Sequence, residues 1–398
     1  MRRLFAFLLF FGCALAASAQ PAAVDLGALV DAAWQRDPRA RSLDARRDEL
    51  SALAEVAAAW SPGPGSVGIA NRNDRPFDNR GLQEWELEYA QPVWLPGQAT
   101  ARRQEAGTAL RALAAERDAL RLDLARRLTD TRLAWLFARG QAGLAERRLS
   151  VARQLVDDLA RRVKAGESPR FDLNLAESER LAAEAAVAEQ DLAASELARR
   201  FQVLTGRPPP AALAATTEPA AAAGHPGLAA AREAAALAQA RLVTSRQSVR
   251  DNPELGLRLR RERDASGLAY GDSISLRLTI PLASAPRTAA REAAAMAAVT
   301  ESAVAVEQVR SQLEQDRAQA ADQLATAARL EEAARHRQRL AADNLGLADT
   351  AWRLGERPLE VLLRARTAAF DADSAALRAR YTREQAEAWR DFLKGSAE

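Results

Sequence analysis

Four short segments of the chain alternate between apolar and polar side chains. Leu255, Leu257 and Leu259 alternate with Gly256, Arg258 and Arg260, and Ile274, Leu276, Leu278 and Ile280 alternate with Ser275, Arg277 and Thr279. Earlier in the chain Trp85, Leu87 and Tyr89 alternate with Glu84, Glu86 and Glu88, next to a weaker stretch around Val67 and Ile69. A period of two gives a strand one apolar and one polar face. The pattern predicts strands at 65–73, 82–92, 254–263 and 271–281. Two much longer segments are helical in character. No proline occurs between Pro96 and Pro169 or between Pro286 and Pro358, and Ala, Leu, Arg and Glu dominate both runs. Leu113, Leu120, Leu124, Leu128, Trp135, Leu155, Leu159 and Val163 keep mainly three-, four- and seven-residue steps, as in a coiled-coil seam. Helices over 98–165 and 287–354 follow, each on the order of 100 Å long at ~1.5 Å per residue.

The chain also repeats itself. Gly166-Glu167-Ser168-Pro169 recurs as Gly355-Glu356-Arg357-Pro358, an offset of 189 that also carries Pro92 onto Pro281, Leu204 onto Leu393 and Gly206 onto Gly395. Asp37-Pro38 matches His225-Pro226 at an offset of 188. Two tandem repeats, 20–206 and 225–395, are expected, joined by a Pro/Ala-rich linker at 207–224. Each holds a helix (from Pro38 to Trp60 or from Pro226 to Val249), two strands, a long helix, a tip turn (166–169 or 355–358) and a return helix (170–205 or 359–394). The two shorter helices of a repeat nearly match the long one in length, so they can stack end to end beside it. The fold class is mainly α with a small β part.

Composition narrows the chemistry. The 398 residues are 48% apolar and 27% charged with a formal net charge of +3, the balance of a folded chain without a nucleic-acid signature. Two histidines, two methionines and one cysteine leave no disulfide framework and no Cys/His metal site. No nucleophile elbow, phosphate loop or H-E-x-x-H occurs, so no enzyme, cofactor or metal is expected. His225 reads as a turn residue and His336 as a helix-surface residue. The tryptophans (34, 60, 85, 94, 135, 352 and 389) read as packing anchors, with Trp85 and Trp94 near a membrane interface.

Residues 1–19 have the form of an export signal: Arg2-Arg3, an apolar run from Leu4 to Leu15, and Ala17-Ser18-Ala19 before Gln20. A lipoprotein signal at Cys13 is the less favoured alternative, because Phe10 and Phe11 precede that cysteine. Exported alternating strands without a transmembrane helix suggest a membrane β-barrel. Four strands cannot close one, whereas three chains supply twelve. Trp85, Leu87, Tyr89, Leu276 and Leu278 would then face lipid. Glu84, Glu86, Glu88, Arg258, Arg260 and Arg277 would line the lumen.

The run Gly166-Glu167-Ser168-Pro169-Arg170-Phe171-Asp172-Leu173-Asn174-Leu175-Ala176-Glu177, its partner from Gly355, and the strand-Pro-Gly-helix passage from Glu84-Trp85 to Arg103 resemble the outer-membrane efflux protein (TolC) family. The resemblance spans nearly the whole mature chain. It implies a homotrimer with a twelve-stranded outer-membrane barrel and a helical tunnel reaching into the periplasm. It further implies a passive exit duct for tripartite efflux or type I secretion, working with a periplasmic adaptor and an RND-type or ABC-type inner-membrane transporter. Gly166, Glu167, Ser168, Pro169, Gly355, Glu356, Arg357 and Pro358 would contact the adaptor. Val361 and Arg364 stand where some members carry gate aspartates, which leaves Asp172, Glu356 and Glu360 as the acidic groups near the closed end. A periplasmic adaptor or an extracytoplasmic coiled-coil scaffold is the alternative. The duplication of the whole unit disfavours the first and the alternating strands disfavour the second.

Overall fold

The computed structural model describes residues 25–213 and 224–395. The expected export signal, with Cys13, and the middle of the linker lie outside the described residues. Along the chain run α1 (Leu26–Trp34), α2 (Pro38–Ala58), β1 (Ser66–Asn73), β2 (Gln83–Pro92), α3 (Gln98–Ala165) and α4 (Arg170–Thr205). Then come α5 (Pro226–Gln247), β3 (Glu254–Arg263), β4 (Gly271–Thr279), α6 (Ala285–Arg353) and α7 (Leu359–Lys394). From α2 onward the second set repeats the order of the first.

Several element ends differ from the sequence reading. β4 stops at Thr279 because Pro281, with no N–H, cannot continue a ladder. α6 begins at Ala285, before Pro286, since the first helical turn tolerates proline. α2 ends at Ala58, so Trp60 projects from the following bend at 77% exposure and is not a buried anchor among the described residues. The helix α1 was not anticipated. At nine residues it is too short to be stable alone, and burial of Leu26, Leu29, Val30, Ala33 and Trp34 holds it in place.

The long helices form a layer. α3 packs against α4 and α7 in one half of its length and against α2 and α5 in the other, while α6 packs against α7 and α5. The short helices stack end to end alongside: Gly206, at the end of α4, abuts Arg36 between α1 and α2. Gly395, at the end of α7, abuts the entry to α5. The main core lies at these junctions, where Leu29 and Trp34 of α1 meet Leu113, Leu124 and Leu128 of α3, Phe201 of α4 and Phe392 of α7. Each such large side chain contributes roughly 1.5–3 kcal/mol on burial.

Asp37 and His225, the matched residues of the two repeats, both cap a helix. Asp37 Oδ1 accepts from Arg39 N at 2.7 Å ahead of α2, and His225 Nδ1 accepts from Gly227 N at 3.2 Å ahead of α5. In each case proline fills the first helical position.

Candidate functional site

The four strands form one antiparallel sheet in the order β1-β2-β3-β4, so the β2–β3 pairing ties the two repeats together. The register sorts its two faces. Tyr89 sits between Val67 and Leu257, and Leu87 between Ile69 and Leu259, while Leu276 and Leu278 stand opposite Leu257 and Leu255. Every one of these side chains is exposed, as is Trp85, with Leu276 at 73%.

The other face is charged and self-paired. Arg258 Nη2 lies 2.8 Å from Glu88 Oε2, and Arg260 Nε lies 2.6 Å from Glu84 Oε1. Arg258 also reaches Glu86 at 3.5 Å, and Arg260 pairs with Glu262. From β1, Arg72 approaches Glu84 at 3.6 Å; from β4, Arg277 approaches Glu88 at 3.9 Å across Gly256, which has no side chain to intervene. The ionic groups on β2 and β3 are therefore partly buried by one another while the leucines opposite are bare, the reverse of a sheet built for water. An apolar face of this extent marks a surface that is covered by protein or membrane. The outer edges of β1 and β4 carry no partner strand among the described residues, leaving two rows of backbone groups open to further pairing.

Both ends of the sheet are fastened. At the loop end, Asp74 accepts from Arg80 N at 2.7 Å and Gly81 N at 3.1 Å. Desolvation opposes ionisation of Asp74, but the amides of Leu82, Arg80 and Gly81 outweigh it and hold the carboxyl below its usual range. Where strands pass into helices, buried Gln98 accepts from Asn252 Nδ2 at 2.6 Å and from Leu95 N at 3.1 Å, and Asn252 Nδ2 also donates to Val93 O at 3.1 Å. This knot joins the exit of β2 to the entry of β3. Nothing in the sequence marks it, because Gln98 and Asn252 are 154 positions apart.

The opposite end of the molecule carries the two hairpin tips. Gly166 adopts φ +78° and ends α3 in a Schellman turn, with Glu167 N donating to Arg162 O at 2.8 Å and Gly166 N to Val163 O at 3.1 Å. Gly355, also at φ +78°, repeats the motif through Glu356 N to Ala351 O at 2.9 Å and Gly355 N to Trp352 O at 3.0 Å. Pro169 and Pro358 then start α4 and α7. Glu167, Glu356, Arg357 and both prolines are exposed, and Ser168 is half-buried. The tips lie side by side, because Leu155, Val156 and Leu159 of α3, Ala176 of α4 and Leu359 and Leu362 of α7 share one cluster. Asp172 and Glu360 occupy the first turns of α4 and α7, where a carboxylate favours the helix N-terminus.

Between tips and sheet, α3 and α7 meet along a thin seam. Phe137 and Tyr381 stack with ring centroids 5.1 Å apart. Gln141 and Ser374 exchange hydrogen bonds of 3.0 and 3.1 Å. Burial, with nearby Asp130, pushes the Tyr381 phenol up to about 12. Arg148 clasps three helices: it pairs with Glu179 of α4 at 2.7 Å and stacks over Phe370 of α7 at 4.8 Å.

No helix among the described residues is long and apolar enough to cross a membrane, and no group of metal-ligating side chains occurs among them. No family model matches the chain, and no curated protein matches it in sequence. Solved structures do match. The outer membrane protein VceC of Vibrio cholerae superposes with a TM-score of 0.74 at 15% identity, covering 93% of this chain and 96% of that one. The open-state MtrE outer membrane channel of Neisseria gonorrhoeae gives 0.72 at 18% identity over 94% and 89%. The CmeC outer membrane channel of Campylobacter jejuni gives 0.73 at 14% over 93% and 85%. The chain has the TolC-like fold. In this TolC-like frame the amphipathic sheet lies at one end and the paired Schellman turns are the far tips of the helical body.

Proposed function

We propose that this chain is the outer-membrane exit duct of an efflux system, a homotrimer that passes cargo without doing covalent chemistry. The observation that carries the reading is the sheet: its apolar face is bare, its charged face is self-paired, and both edges are open. Lipid suits the first and an aqueous bore the second, and in hydrocarbon open edges must be closed by further strands. Three copies give a twelve-stranded barrel with Trp85, Leu87, Tyr89, Leu276 and Leu278 toward lipid. Glu84, Glu86, Glu88, Arg258, Arg260 and Arg277 then face the lumen. The likeness to outer membrane channels supports the same reading.

The helical body then extends into the periplasm. The turns Gly166–Pro169 and Gly355–Pro358 dock a periplasmic adaptor, which links the duct to an RND-type or ABC-type inner-membrane transporter. Asp172 and Glu360 lie near the closed end, and opening is a shift of populations in which the hairpins untwist around Gly166 and Gly355. Cell fractionation tests the reading. The protein should stay with the outer membrane through high-salt washing and leave it only in detergent, and a salt-washable periplasmic pool contradicts it. Cysteines at Ser168→Cys and Arg357→Cys should crosslink to a co-expressed adaptor, and the absence of adducts contradicts tip docking.

A further inference from the structure

The apolar face of the sheet changes character toward its loop end, away from the helical body. In β3, Leu255, Leu257 and Leu259 on that face give way to Arg261 and Arg263. Arg261 stands between Trp85 and Asp272, and Arg263 stands opposite Gln83. Within the four described strands, the charges on this face are these two arginines and Asp272. Both guanidinium groups lie over the Tyr270 ring, 4.9 and 5.0 Å from its centroid. Tyr270 Oη donates to Gln83 Oε1 at 2.8 Å, which pins the ring as a platform for two cations. Arg263 Nε donates to Gly81 O at 3.2 Å. Arg261 is 60% exposed and approaches the equally open Asp272 only at 3.8 Å. Arg258 and Arg260, on the other face, are by contrast closed by carboxylates at 2.8 and 2.6 Å. Beside the arginines a shallow groove of about 650 Å³ runs over Ile69, Trp85, Leu87, Leu259 and Ile274, and Arg261 lines it as well.

We propose that Arg261 and Arg263 bind the phosphate of a phosphorylated glycolipid in the outer leaflet, with an acyl chain of that lipid lying in the groove. This rests on the outer-membrane duct reading above: with the helical body in the periplasm, the loop end of the sheet faces the cell surface. Leu255 and Arg261 are six positions apart in β3, roughly 20 Å at ~3.4 Å per residue. A barrel's apolar band is about 25 Å tall, so the arginines stand where hydrocarbon gives way to headgroups. A guanidinium at that level needs an anionic partner, because leaving it desolvated and unpaired is costly. Phosphate suits it, since the planar fork of arginine donates two parallel hydrogen bonds to phosphate oxygens. Two cations against one exposed carboxylate leave this corner net positive. A phosphate monoester, with close to two negative charges at neutral pH, complements it better than the single charge of a phosphodiester headgroup. Tyr270 is the positioning residue, holding both guanidinium groups beside the groove.

The test is lipid binding by the full chain purified in detergent, with bound molecules counted by native mass spectrometry. The probes are bis-phosphorylated lipid A, the same lipid enzymatically dephosphorylated, and phosphatidylglycerol. The parent should hold the phosphorylated lipid A about tenfold or more tightly than either of the others. The double variant Arg261→Gln with Arg263→Gln should lose that preference, and the double lysine variant, which keeps both charges, should regain part of it. Arg329→Gln, an equal change of charge on the exposed surface of α6, should leave it intact. Equal affinity of the parent for phosphorylated and dephosphorylated lipid A, or an unchanged preference in a folded Arg261/Arg263 double glutamine variant, overturns the site while leaving the duct reading standing. Equally tight binding of phosphatidylglycerol overturns the assignment to the glycolipid. A parent that is a detergent-independent monomer and binds none of the three lipids overturns the duct reading, and the site with it.

Discussion

Arg258 and Glu88 face each other in the β2–β3 register and close to 2.8 Å, so this ion pair spans the sheet pairing that joins the two repeats. The neighbouring Arg277 also leans on Glu88 across Gly256. A double-mutant cycle of Glu88→Gln and Arg258→Gln, read by thermal unfolding in detergent, should give a coupling of about 0.2–1 kcal/mol, the range of cross-strand charge pairs. A coupling indistinguishable from zero would mean that the pair orders the surface without stabilising it.

The two matched helix caps should fail at different pH. Burial, with Arg317 adding to it against Asp316, pushes His225 below its usual value, and its neutral Nδ1 is the cap acceptor. A depressed histidine contributes stability that is present above about pH 6.5 and lost as pH falls through the lowered value. Asp123 and Arg126 of α3 line the same junction. For Asp37, desolvation works against ionisation, but the guanidinium and amide of Arg39 outweigh it and lower the value. Its contribution is complete above about pH 4 and lost only in stronger acid. The melting temperature should therefore drop between pH 7.5 and 5.5 in the parent, and His225→Asn, which keeps a cap acceptor, should flatten that drop.

The α3–α7 seam tolerates little bulk. A β-carbon at Gly140 would come within 2.8 Å of Leu377 Cδ2. Gly140→Ala trades that contact against a helix-propensity gain of about 1 kcal/mol and should leave stability nearly unchanged, since the Leu377 methyl can turn away. Gly140→Leu has no such escape and should cost about 1–3 kcal/mol in chemical denaturation.

The hairpin tips depend on their left-handed glycines. Gly166→Ala and Gly355→Ala should each destabilise the turn by about 1–2 kcal/mol, seen as faster amide exchange in the last turns of α3 and α6. Asparagine at either site should cost less, because its side chain tolerates this region.

Much of this architecture was legible because it depends on local chemistry. The proline-free runs mark α3 and α6, the doubled Gly-Glu-x-Pro marks both reversals, and the period of two around Leu87 and Leu276 separates the faces of the sheet. What could not be read depends on contacts between distant parts of the chain. α1 exists because Trp34 and Leu29 find a core made by α3, α4 and α7. Trp60 looked like an anchor in the sequence but faces away from the chain. Gly140 was an unremarked residue in a long helix until Leu377, more than two hundred positions away, was placed against it. The knot of Gln98 with Asn252 is of the same kind: two ordinary amides until the sheet brings their helix and loop together.

On the duct reading proposed above, sister chains in a lipid layer complete the sheet's bare apolar face and two open edges, and the mass of the particle extracted from membranes tests this most directly. Light scattering corrected for bound detergent should return three copies of the chain and nothing smaller. A stable single copy, soluble once detergent is withdrawn, would contradict the barrel and the duct together.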